Sequence, residues 1–545
     1  MEWCRDVRTD ESSDGRNSLA GVRGILMSMR HKGVRIWIDN DRLRYQAAKG
    51  TLTSDDIASL RAARFGIIDF LRHSSDYATA EHPLGPRAAL DPVPLTFTQQ
   101  LLWSTSGLSK YPSMRAVFTA VRLSGPLRVD FLKESFGQLV GRHESLRTRI
   151  AIINGDQHQL VDDRWQGSFE VLELAGACEK DRESTASSLI ANFVSDPVDV
   201  TTDALFEVRL LKLNEQSHVL LVMMDHLIAD AISVGILLRE VWTMYAQLVR
   251  GEACSLPAMA AQFPDYAVWQ RKTSRHWTDC HAAYWRDKLA DAGRVRVFME
   301  RDPVPGVRPQ FDSVPIVLDP LLSQTLSEVS KQHKTTLAMS VLCAYVALIF
   351  RWSNEMDIVI PFMTTGRQHP EIENTIGFFA SRLFLRIRAS RDDSLLDLLH
   401  RATEAYGAAY EHNDCGRIAA QLPAPTFLGN PTFNWFSGDL RVHPTAFTAS
   451  GGPWNSKELG FSMEPFVVAP ILPNELGDYD QWCAEPLLLL SDTPAGITGR
   501  AVYRLDCISA ETMKQLVRNL RLVLETLLVE PNTRVRDVTL ARLIG

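Results

Sequence analysis

The clearest pattern in the chain is an apolar run that ends in a polar turn and continues as a helix. Residues 219–224 are uniformly apolar, as in a buried strand. The turn that follows carries Asp225, His226 and Asp230. Apolar residues then recur with helical spacing over residues 232–250. A turn held between a strand and a helix presents its side chains at a fixed place, so these three residues are the first candidates for chemistry.

The N-terminal region has the pattern of a small separate unit, residues 19–74. Residues 34–39 and 42–47 each alternate apolar and polar positions, as in a hairpin, and Thr53 is placed to cap the helix that follows. So small a unit buries little apolar surface, so we expect a partner or dimerisation through it. Residues 1–18 are polar and are predicted to be a disordered tail.

The rest of the chain has the pattern of a large α/β body. Residues 75–92, rich in His, Pro, Gly and Ala, are predicted to be a linker. After them, strand and helix patterns alternate without repeats, over a length that allows two lobes with a cleft between them. We place the lobes at residues 93–270 and 271–545. The elements predicted most clearly are strands over 117–126, 219–224 and 356–361, and helices over 129–142, 337–352 and 394–412.

Composition excludes several classes of function. Hydrophobic residues make up 45% of the 545 positions and charged residues 23%, as in ordinary globular proteins. The net charge of −7 gives no reason to expect nucleic acid. The eight cysteines form no CxxC pair, so neither a zinc site nor a disulfide scaffold is indicated, and reduced thiols in a cytoplasm are expected. The chain also has no signal peptide, membrane span, phosphate loop or dinucleotide fingerprint.

The charge is distributed unevenly. Residues 19–74 hold ten Lys and Arg but only five Asp, a net charge of +5, so the remainder carries −12. A basic unit on an acidic protein indicates an acidic partner segment, although a solvated basic surface is the alternative. The second hairpin strand can offer an edge for strand addition, with Arg42, Arg44 and Lys49 contacting acidic side chains of the partner.

The basic unit resembles the TubC-type N-terminal docking domains of nonribosomal peptide synthetases and hybrid assembly lines. The resemblance lies in GVRIWIDNDRLRYQAAKGTLTSDDIASLRAARFGII, residues 33–68, and includes the hairpin, the Lys-Gly turn and the following helix. It implies docking onto the C-terminal peptide of an upstream synthase.

The remainder resembles the condensation domains of the same synthetases, through six stretches in the family's order and spacing. They are PLTFTQQLLW (94–103), GRHESLRTRI (141–150), DHLIADA (225–231), FPDYAVWQR (263–271), IGFFASRLFLR (376–386) and NPTFNWF (430–436). The resemblance implies an α/β (α+β) fold of two chloramphenicol-acetyltransferase-like lobes, arranged in a V around a central tunnel. GITGRAVYRLD (496–506) is similar to the family's late strand pair, which bridges to the other lobe.

The resemblance assigns different roles to the residues of the polar turn. His226 matches the catalytic second histidine of the HHxxxDG motif. A histidine with an ordinary pKa is largely neutral at pH 7 and can accept a proton as an amine attacks a thioester. Asp230 matches a structural aspartate paired with an arginine. We expect Arg147 as its partner, with Arg142 as the alternative, since a buried carboxylate without an arginine is costly.

Two positions depart from the motif. Asp225 stands where the family has its first, mainly structural histidine, and Ala231 stands where it has glycine. We expect Ala231 to lie in helical backbone, where a methyl group fits, although the methyl can narrow the approach of the carrier arm. Ser233, Ser381, Asn434 and Trp435 are further candidates for the tunnel or the substrate site, and Ser381 replaces the family's asparagine.

The expected function is condensation of a carrier-bound acyl or peptidyl thioester from an upstream synthase with an acceptor nucleophile. The substrates would arrive on phosphopantetheine arms, and no bound cofactor is expected. The acceptor would come from a carrier protein in trans or as a free amine or alcohol. Two alternatives stay open. Asp225, Asp230 and Ser233 also spell the DxxxxDxxS signature of heterocyclization domains. The departures at Asp225, Ala231 and Ser381 also fit a degenerate domain that binds carriers without turnover.

Overall fold

A computed structural model provides the structure of the chain. It describes residues 5–6, 25, 29, 34–39, 42–46, 52–73, 84–88, 92–105, 113–114, 117–176, 178–273, 278–303, 310–412, 429–436, 460–466, 485–493 and 495–541. The strands, in chain order, are β1 (Arg5–Asp6), β2 (Arg35–Asp39), β3 (Arg42–Gln46), β4 (Val93–Pro94), β5 (Ser113–Met114), β6 (Val117–Ser124), β7 (Thr148–Ile153), β8 (Asp156–Val161), β9 (Phe169–Glu173), β10 (Pro197–Val198), β11 (Phe206–Asn214), β12 (Ser217–Met224), β13 (Phe311–Leu318), β14 (Asp357–Thr364), β15 (Ser381–Arg388), β16 (Thr432–Phe436), β17 (Ser462–Pro465), β18 (Leu487–Thr493) and β19 (Gly496–Arg504).

The helices include those that the sequence predicted over residues 129–142, 232–250, 337–352 and 394–412. In chain order, the described helices are α1 (Ser54–Ala62), α2 (Arg64–His73), α3 (Phe97–Thr105), α4 (Val129–Arg142), α5 (Glu179–Ser195), α6 (Ala231–Val249), α7 (Phe263–Thr273), α8 (Thr278–Leu289), α9 (Pro320–Gln332), α10 (Leu337–Ser353), α11 (Leu395–Glu411) and α12 (Ala510–Val529). Among the described helices, none alone is long and apolar enough to span a membrane; α9 and α10 pass that test only as a pair bent by 99°.

The N-terminal unit has its own small core. The predicted hairpin is confirmed as β2 and β3, which pair in antiparallel register. Thr53 caps α1 as predicted, and its hydroxyl and the Asp56 carboxylate form a reciprocal capping box. Leu43, Leu60 and Ile67 are buried between the hairpin and the helices. The short strand β1, within the stretch expected to be a disordered tail, pairs with β3, and the rest of residues 1–18 lies outside the described part.

The first lobe is built on a five-stranded sheet in the order β17-β6-β12-β11-β9. Its strand β12 is buried at every position, as the apolar run predicted. Leu220, Val222 and Met224 face a core that includes α4 and α6, whereas Val219, Leu221 and Met223 face α5. Because both faces of this strand are covered, its residues 219–224 are continuously apolar instead of alternating.

The second lobe is built on a six-stranded sheet in the order β13-β19-β18-β16-β14-β15. Its central helix, α10, is buried at thirteen consecutive positions, 338–350. This burial explains the nearly all-apolar composition of the helix, because a helix covered on every side has no polar face. The predicted helix at 394–412 is confirmed as α11, capped by the Ser394 hydroxyl.

Part of the predicted linker, residues 84–88, packs into the first lobe. Leu84 lies in the hydrophobic core that contains α4 and α6, which we call the first core. The side chain of Arg87 is buried, with only 6% of it exposed. The Arg87 guanidinium lies 2.8 Å from a Glu144 oxygen and 2.7 Å from an Asp265 oxygen. Two carboxylates share this buried cation, so residues 84–88 are an integral part of the first lobe.

Two later segments also pack in the first lobe, across the boundary predicted at residue 270. The loop that joins β14 to β15, residues 365–380, leaves the second sheet and returns to it; we call it the crossing loop. Its Ile372, Ile376, Phe378 and Phe379 belong to the first core. The strand that crosses to the first sheet is β17, paired with β6. Residues 496–506 were predicted to bridge the lobes, but β19 lies between β13 and β18 within the second sheet.

Candidate active site

The polar turn, residues 225–230, is held at the end of β12 by its own backbone and by Asp225. The Asp225 amide donates to the Leu205 carbonyl at 2.8 Å. The Asp225 carboxylate accepts from the Leu227 amide at 2.8 Å, and only 1% of the residue is exposed. A buried carboxylate that accepts a hydrogen bond from its own turn stabilises that turn. Asp225 therefore has a structural role here, in the position where the family has a histidine.

His226 is the half-buried member of the turn. Its Nδ1 lies 2.8 Å from the Ala229 carbonyl oxygen, which can only accept, so Nδ1 carries the hydrogen. In the neutral ring Nε2 is then the lone-pair nitrogen. No residue in the described part of the chain forms a hydrogen bond with Nε2. One face of the ring packs on Phe378, with centroids 4.3 Å apart and planes tilted by 45°. The ring is thus oriented with a basic nitrogen available to a substrate.

Asp230 is fully engaged by a different group of partners. Arg367 of the crossing loop donates to its two oxygens at 2.6 and 3.0 Å. The amides of Phe379 and Ala380 donate to the same carboxylate at 3.2 Å each. Burial alone would raise the pKa of Asp230, but the Arg367 charge and these hydrogen bonds hold that pKa below its usual value. Asp230 is therefore an ion-pair anchor and has no contact that would orient His226.

The predicted arginine partners of Asp230 were wrong. Arg147 donates to the Asp162 carbonyl at 2.5 Å, and Arg142 pairs with Glu240 at 3.0 Å. The actual partner, Arg367, lies outside all six motif stretches. Its separation of 137 positions from Asp230 left no local signal. An unassigned arginine shortly before IGFF was the only available hint.

Ser233 was predicted to contact the tunnel or the substrate, but it is fully buried in the same network. Its amide and hydroxyl donate to Asp230, which makes the pair a capping box at the start of α6. The Ser233 oxygen also accepts from the Gly377 amide at 3.1 Å. Its position on the first turn of a helix explains this role, since the first amides of a helix need side-chain acceptors.

Two residues of the GRHESLRTRI stretch also bind the crossing loop, and the sequence prediction missed both. The Ser145 hydroxyl donates to the Ile376 carbonyl at 2.7 Å. His143 accepts from the Ile376 amide at Nδ1, at 3.4 Å, and its Nε2 contacts Glu240 at 2.8 Å. With Asp230 and Ser233, these residues form what we call the clamp. It binds backbone groups of residues 376, 377, 379 and 380.

The electrostatics of His143 agree with this geometry. The residue is completely buried, and burial lowers the pKa of its imidazole, although Glu240 opposes that shift. A neutral ring can accept the Ile376 amide at Nδ1 and donate to Glu240 from Nε2. Burial raises the pKa of Glu240, but the His143 hydrogen bond and the Arg142 charge outweigh it and leave that pKa lowered. The pair is therefore a neutral histidine beside an ionised carboxylate.

The other candidate residues lie in mixed surroundings. Ala231 is exposed and is the first residue of α6, so its backbone is helical and a methyl group fits, as expected. Ser381 is half-buried at the start of β15. Asn434 is 6% exposed. Trp435 is half-buried, packs against the hydrophobic core of the second lobe and stacks on Phe433. The tunnel contacts expected of Ser381, Asn434 and Trp435 stay predictions.

The docking residues can be located only in part. Arg42 and Arg44 lie on β3, which has β1 on one side and β2 on the other. Lys49 lies outside the described residues. The strand predicted to offer an edge for strand addition therefore already has neighbours on both sides, and β2 is at the other edge of this three-stranded sheet.

Comparisons with known proteins give the chain a family. The condensation domain family model matches residues 89–427, well over half of the chain, and the TubC N-terminal docking domain model matches residues 22–73. A linear gramicidin synthase of Brevibacillus parabrevis is 34% identical over 328 residues, which is 59% of this chain and 6% of that protein. Malpinin synthetase of Mortierella alpina is 32% identical over 327 residues, 59% of this chain and 4% of that protein. The chain thus spans a small part of the synthetases it matches.

Solved structures show the same fold at lower identity. The X-domain from teicoplanin biosynthesis superposes with a TM-score of 0.69 at 23% identity, covering 84% of this chain and all of that domain. The first condensation domain of the calcium-dependent antibiotic synthetase, in complex with a substrate analogue, gives 0.64 at 18% identity, covering 83% and 99%. Condensation domains of this fold are acyltransferase-type enzymes that form peptide bonds. The chain belongs to the condensation-domain family and carries a TubC-type docking domain before it.

Proposed function

We propose that the chain condenses a donor acyl or peptidyl thioester with an acceptor amine or alcohol, with His226 as the proton acceptor. The donor would be carried on the phosphopantetheine arm of a carrier protein from an upstream synthase. The observation that supports this proposal most directly is the hydrogen bond from His226 Nδ1 to the Ala229 carbonyl. It leaves Nε2 as the basic nitrogen of a ring that is oriented but only half-buried.

The reaction follows from that arrangement. The acceptor nitrogen or oxygen attacks the thioester carbonyl carbon, and Nε2 of His226 takes the proton that the nucleophile loses. The tetrahedral intermediate then expels the pantetheine sulfur, and the C–S bond breaks as the amide or ester forms. The imidazolium returns its proton to the departing thiolate, so the histidine ends the cycle neutral.

The carboxylates of the turn are poor alternatives as bases. Asp230 is ion-paired, buried and already accepts several hydrogen bonds, and its pKa is lowered. Asp225 is buried and accepts from the turn. Ser233 shares its hydroxyl with Asp230 and Gly377. The three residues of the heterocyclization signature are thus engaged in the scaffold, which favours condensation over ring closure.

The test is the substitution His226→Ala, assayed with a panel of acyl-pantetheine thioesters and free amine or alcohol acceptors. We expect product formation to fall by about 10² to 10⁴. Asp130→Ala, which removes an exposed carboxylate paired with Arg128, is the matched control and should keep full activity. Product formation by His226→Ala at the unsubstituted rate would refute the role of His226. Failure of the unsubstituted chain to turn over any panel member would favour the carrier-binding alternative.

We further propose that the docking unit binds an acidic C-terminal segment of the upstream synthase through Arg42, Arg44 and Lys49. Because β3 has neighbours on both sides, an incoming strand would displace β1 or pair with the outer edge of β2. The acceptor would be held by a carrier protein in trans or arrive as a small molecule, and the unit can also contribute to dimerisation.

Charge reversal tests the docking proposal. Arg42→Glu with Arg44→Glu should weaken binding of an acidic C-terminal peptide at least about tenfold at low salt, and less at high salt. Arg61→Glu with Arg64→Glu changes the net charge equally, but the positions lie on α1 and α2, so it serves as the control. Equal weakening by both pairs would indicate a non-specific effect of net charge and refute docking along β3.

A further inference from the structure

The ring of His226 has two contacts of different origin. One is the Ala229 carbonyl, three residues further along the same turn, which accepts from Nδ1 at 2.8 Å. The other is the ring of Phe378, 152 positions later in the chain and on the crossing loop. A single hydrogen bond leaves the imidazole free to swing about that bond, whereas a packed aromatic face removes this freedom. The second contact is therefore as important for the orientation of the ring as the first.

Phe378 is itself held with unusual firmness. Only 4% of it is exposed, and both neighbouring residues are bound through their backbones. Ser233 binds the Gly377 amide, and Asp230 accepts from the amide of Phe379. A β-carbon at Gly377 would lie 2.4 Å from the ring of Phe263, so the loop approaches the first lobe as closely as glycine allows. Phe378 thus has little freedom to move away from His226.

From this geometry we propose that Phe378 is a positioning residue for His226. The crossing loop is connected at both ends to the second lobe, since it joins β14 to β15. Through Phe378 it sets the orientation of an imidazole carried by the first lobe. Because the clamp binds the backbone on both sides of Phe378, it also fixes the aromatic ring that packs on His226. The catalytic importance of this contact rests on the proposed function of His226, but the contact and its effect on the imidazole do not.

The experiment measures the reactivity of the imidazole without any substrate. Diethyl pyrocarbonate acylates neutral histidine nitrogens, and the modification of His226 is followed by peptide mass spectrometry from pH 5 to pH 8. Three variants are compared with the unsubstituted chain. Phe378→Leu removes the ring but keeps an apolar side chain, and Phe378→Tyr keeps the ring. Phe136→Leu is the matched control, since Phe136 is fully buried in the same core and packs on Phe169 and Phe206.

We expect Phe378→Leu to change the rate constant for His226 modification at least about threefold and to shift its pH midpoint, because the ring is released into other rotamers. Phe378→Tyr should return both values to within about twofold of the unsubstituted chain. Phe136→Leu should leave both unchanged while lowering the melting temperature. Equal profiles for Phe378→Leu and Phe136→Leu would overturn the proposal and leave Phe378 as ordinary core. If Phe378→Leu fails to fold, Phe378→Met takes its place, since it also removes the ring and keeps an apolar side chain; a changed profile supports the proposal, and a profile equal to that of the unsubstituted chain overturns it.

Turnover separates this inference from the proposed function. With an active donor and acceptor pair, Phe378→Leu should lower kcat by about tenfold to a hundredfold with KM nearly unchanged. If His226→Ala retains activity, the proposed function fails, while the modification profiles still decide whether Phe378 positions the ring. If His226→Ala is inactive but Phe378→Leu has normal kcat and a normal profile, only the positioning role fails.

Discussion

Two histidines in neighbouring motifs have opposite surroundings. His143 is completely buried, uses both ring nitrogens and lies beside Glu240. His226 is half-buried and uses only Nδ1 within the described part of the chain. Both contact the crossing loop, His143 through the Ile376 backbone and His226 through the Phe378 ring. A histidine with both nitrogens satisfied can only support the structure, whereas one with an available basic nitrogen can carry a proton.

The other polar residues at the site resemble His143 and differ from His226, because their polar groups are engaged within the structure. Asp230, Ser233 and Ser145 bind the crossing loop and have no remaining capacity for chemistry. These residues, with His143, thus bring the two halves of the chain together. The comparison predicts that clamp residues affect mainly stability and that His226 affects mainly rate.

The largest effect on stability should come from Asp230→Ala. It leaves the Arg367 guanidinium buried, with 4% of its side chain exposed and no carboxylate beside it. Removal of one partner of a buried ion pair costs about 3–5 kcal/mol of unfolding free energy, measured by urea denaturation. Asp130→Ala breaks an exposed pair with Arg128 and should have little effect. A similar small loss for both variants would contradict the role of Asp230 as an anchor.

A smaller effect should appear as a dependence of stability on pH. Since burial lowers the pKa of His143, the folded chain resists a proton that the unfolded chain takes up below about pH 6.5. Stability is therefore complete above that pH and falls as the solution is acidified, by up to about 1.4 kcal/mol per pH unit. The ring is faced by Glu240, Arg142 and Arg239.

The substitution His143→Gln should flatten this dependence between pH 5 and pH 6.5. His218 also has a pKa lowered by burial, so His218→Gln is the appropriate comparison and removes only its own contribution. Unfolding free energies measured across this range decide the point. An unchanged slope in His143→Gln would show that the ring takes up a proton as readily in the folded chain as in the unfolded one, which is incompatible with acceptance from the Ile376 amide.

The smallest effect on stability should come from His226→Ala. The side chain is half-buried and loses one hydrogen bond, so we expect a change of about 1 kcal/mol or less by the same denaturation measurement. The variant expected to lose most of its turnover should thus be nearly as stable as the unsubstituted chain. A loss comparable to that of Asp230→Ala would remove the contrast between the two residues.

Much of the fold was predictable because hydrophobic periodicity reports burial. The hairpin, the buried strand β12 and the helices α4, α10 and α11 were all indicated by their patterns. The domain boundaries were less predictable. The predicted linker includes Arg87, whose pairing with Glu144 and Asp265 depends on residues 57 and 178 positions away. Nothing near residue 87 signals that contact, since a single arginine in a polar stretch is usually exposed.

The candidate site shows the same division. His226 could be selected from the sequence, because a histidine within the DHLIADA stretch, directly after an apolar run, is a local feature. The partner of Asp230 could not, because any arginine in the chain could satisfy the charge and the nearest motif arginines, Arg142 and Arg147, have other partners. Ser233 was assigned to the substrate for a similar reason, since the sequence does not tell which way a serine at a helix start directs its hydroxyl.

The sequence by itself determined the family and the most strongly patterned elements, and it selected His226 as the candidate for proton transfer, since these follow from local patterns and from motif spacing. Only the tertiary structure decided how residues 84–88 and 365–380 join the first lobe and which arginine neutralises Asp230. It also decided that Phe378 packs on His226. Those outcomes depend on contacts between segments from 57 to more than a hundred positions apart, which form when the cores assemble and have no signature in either segment alone.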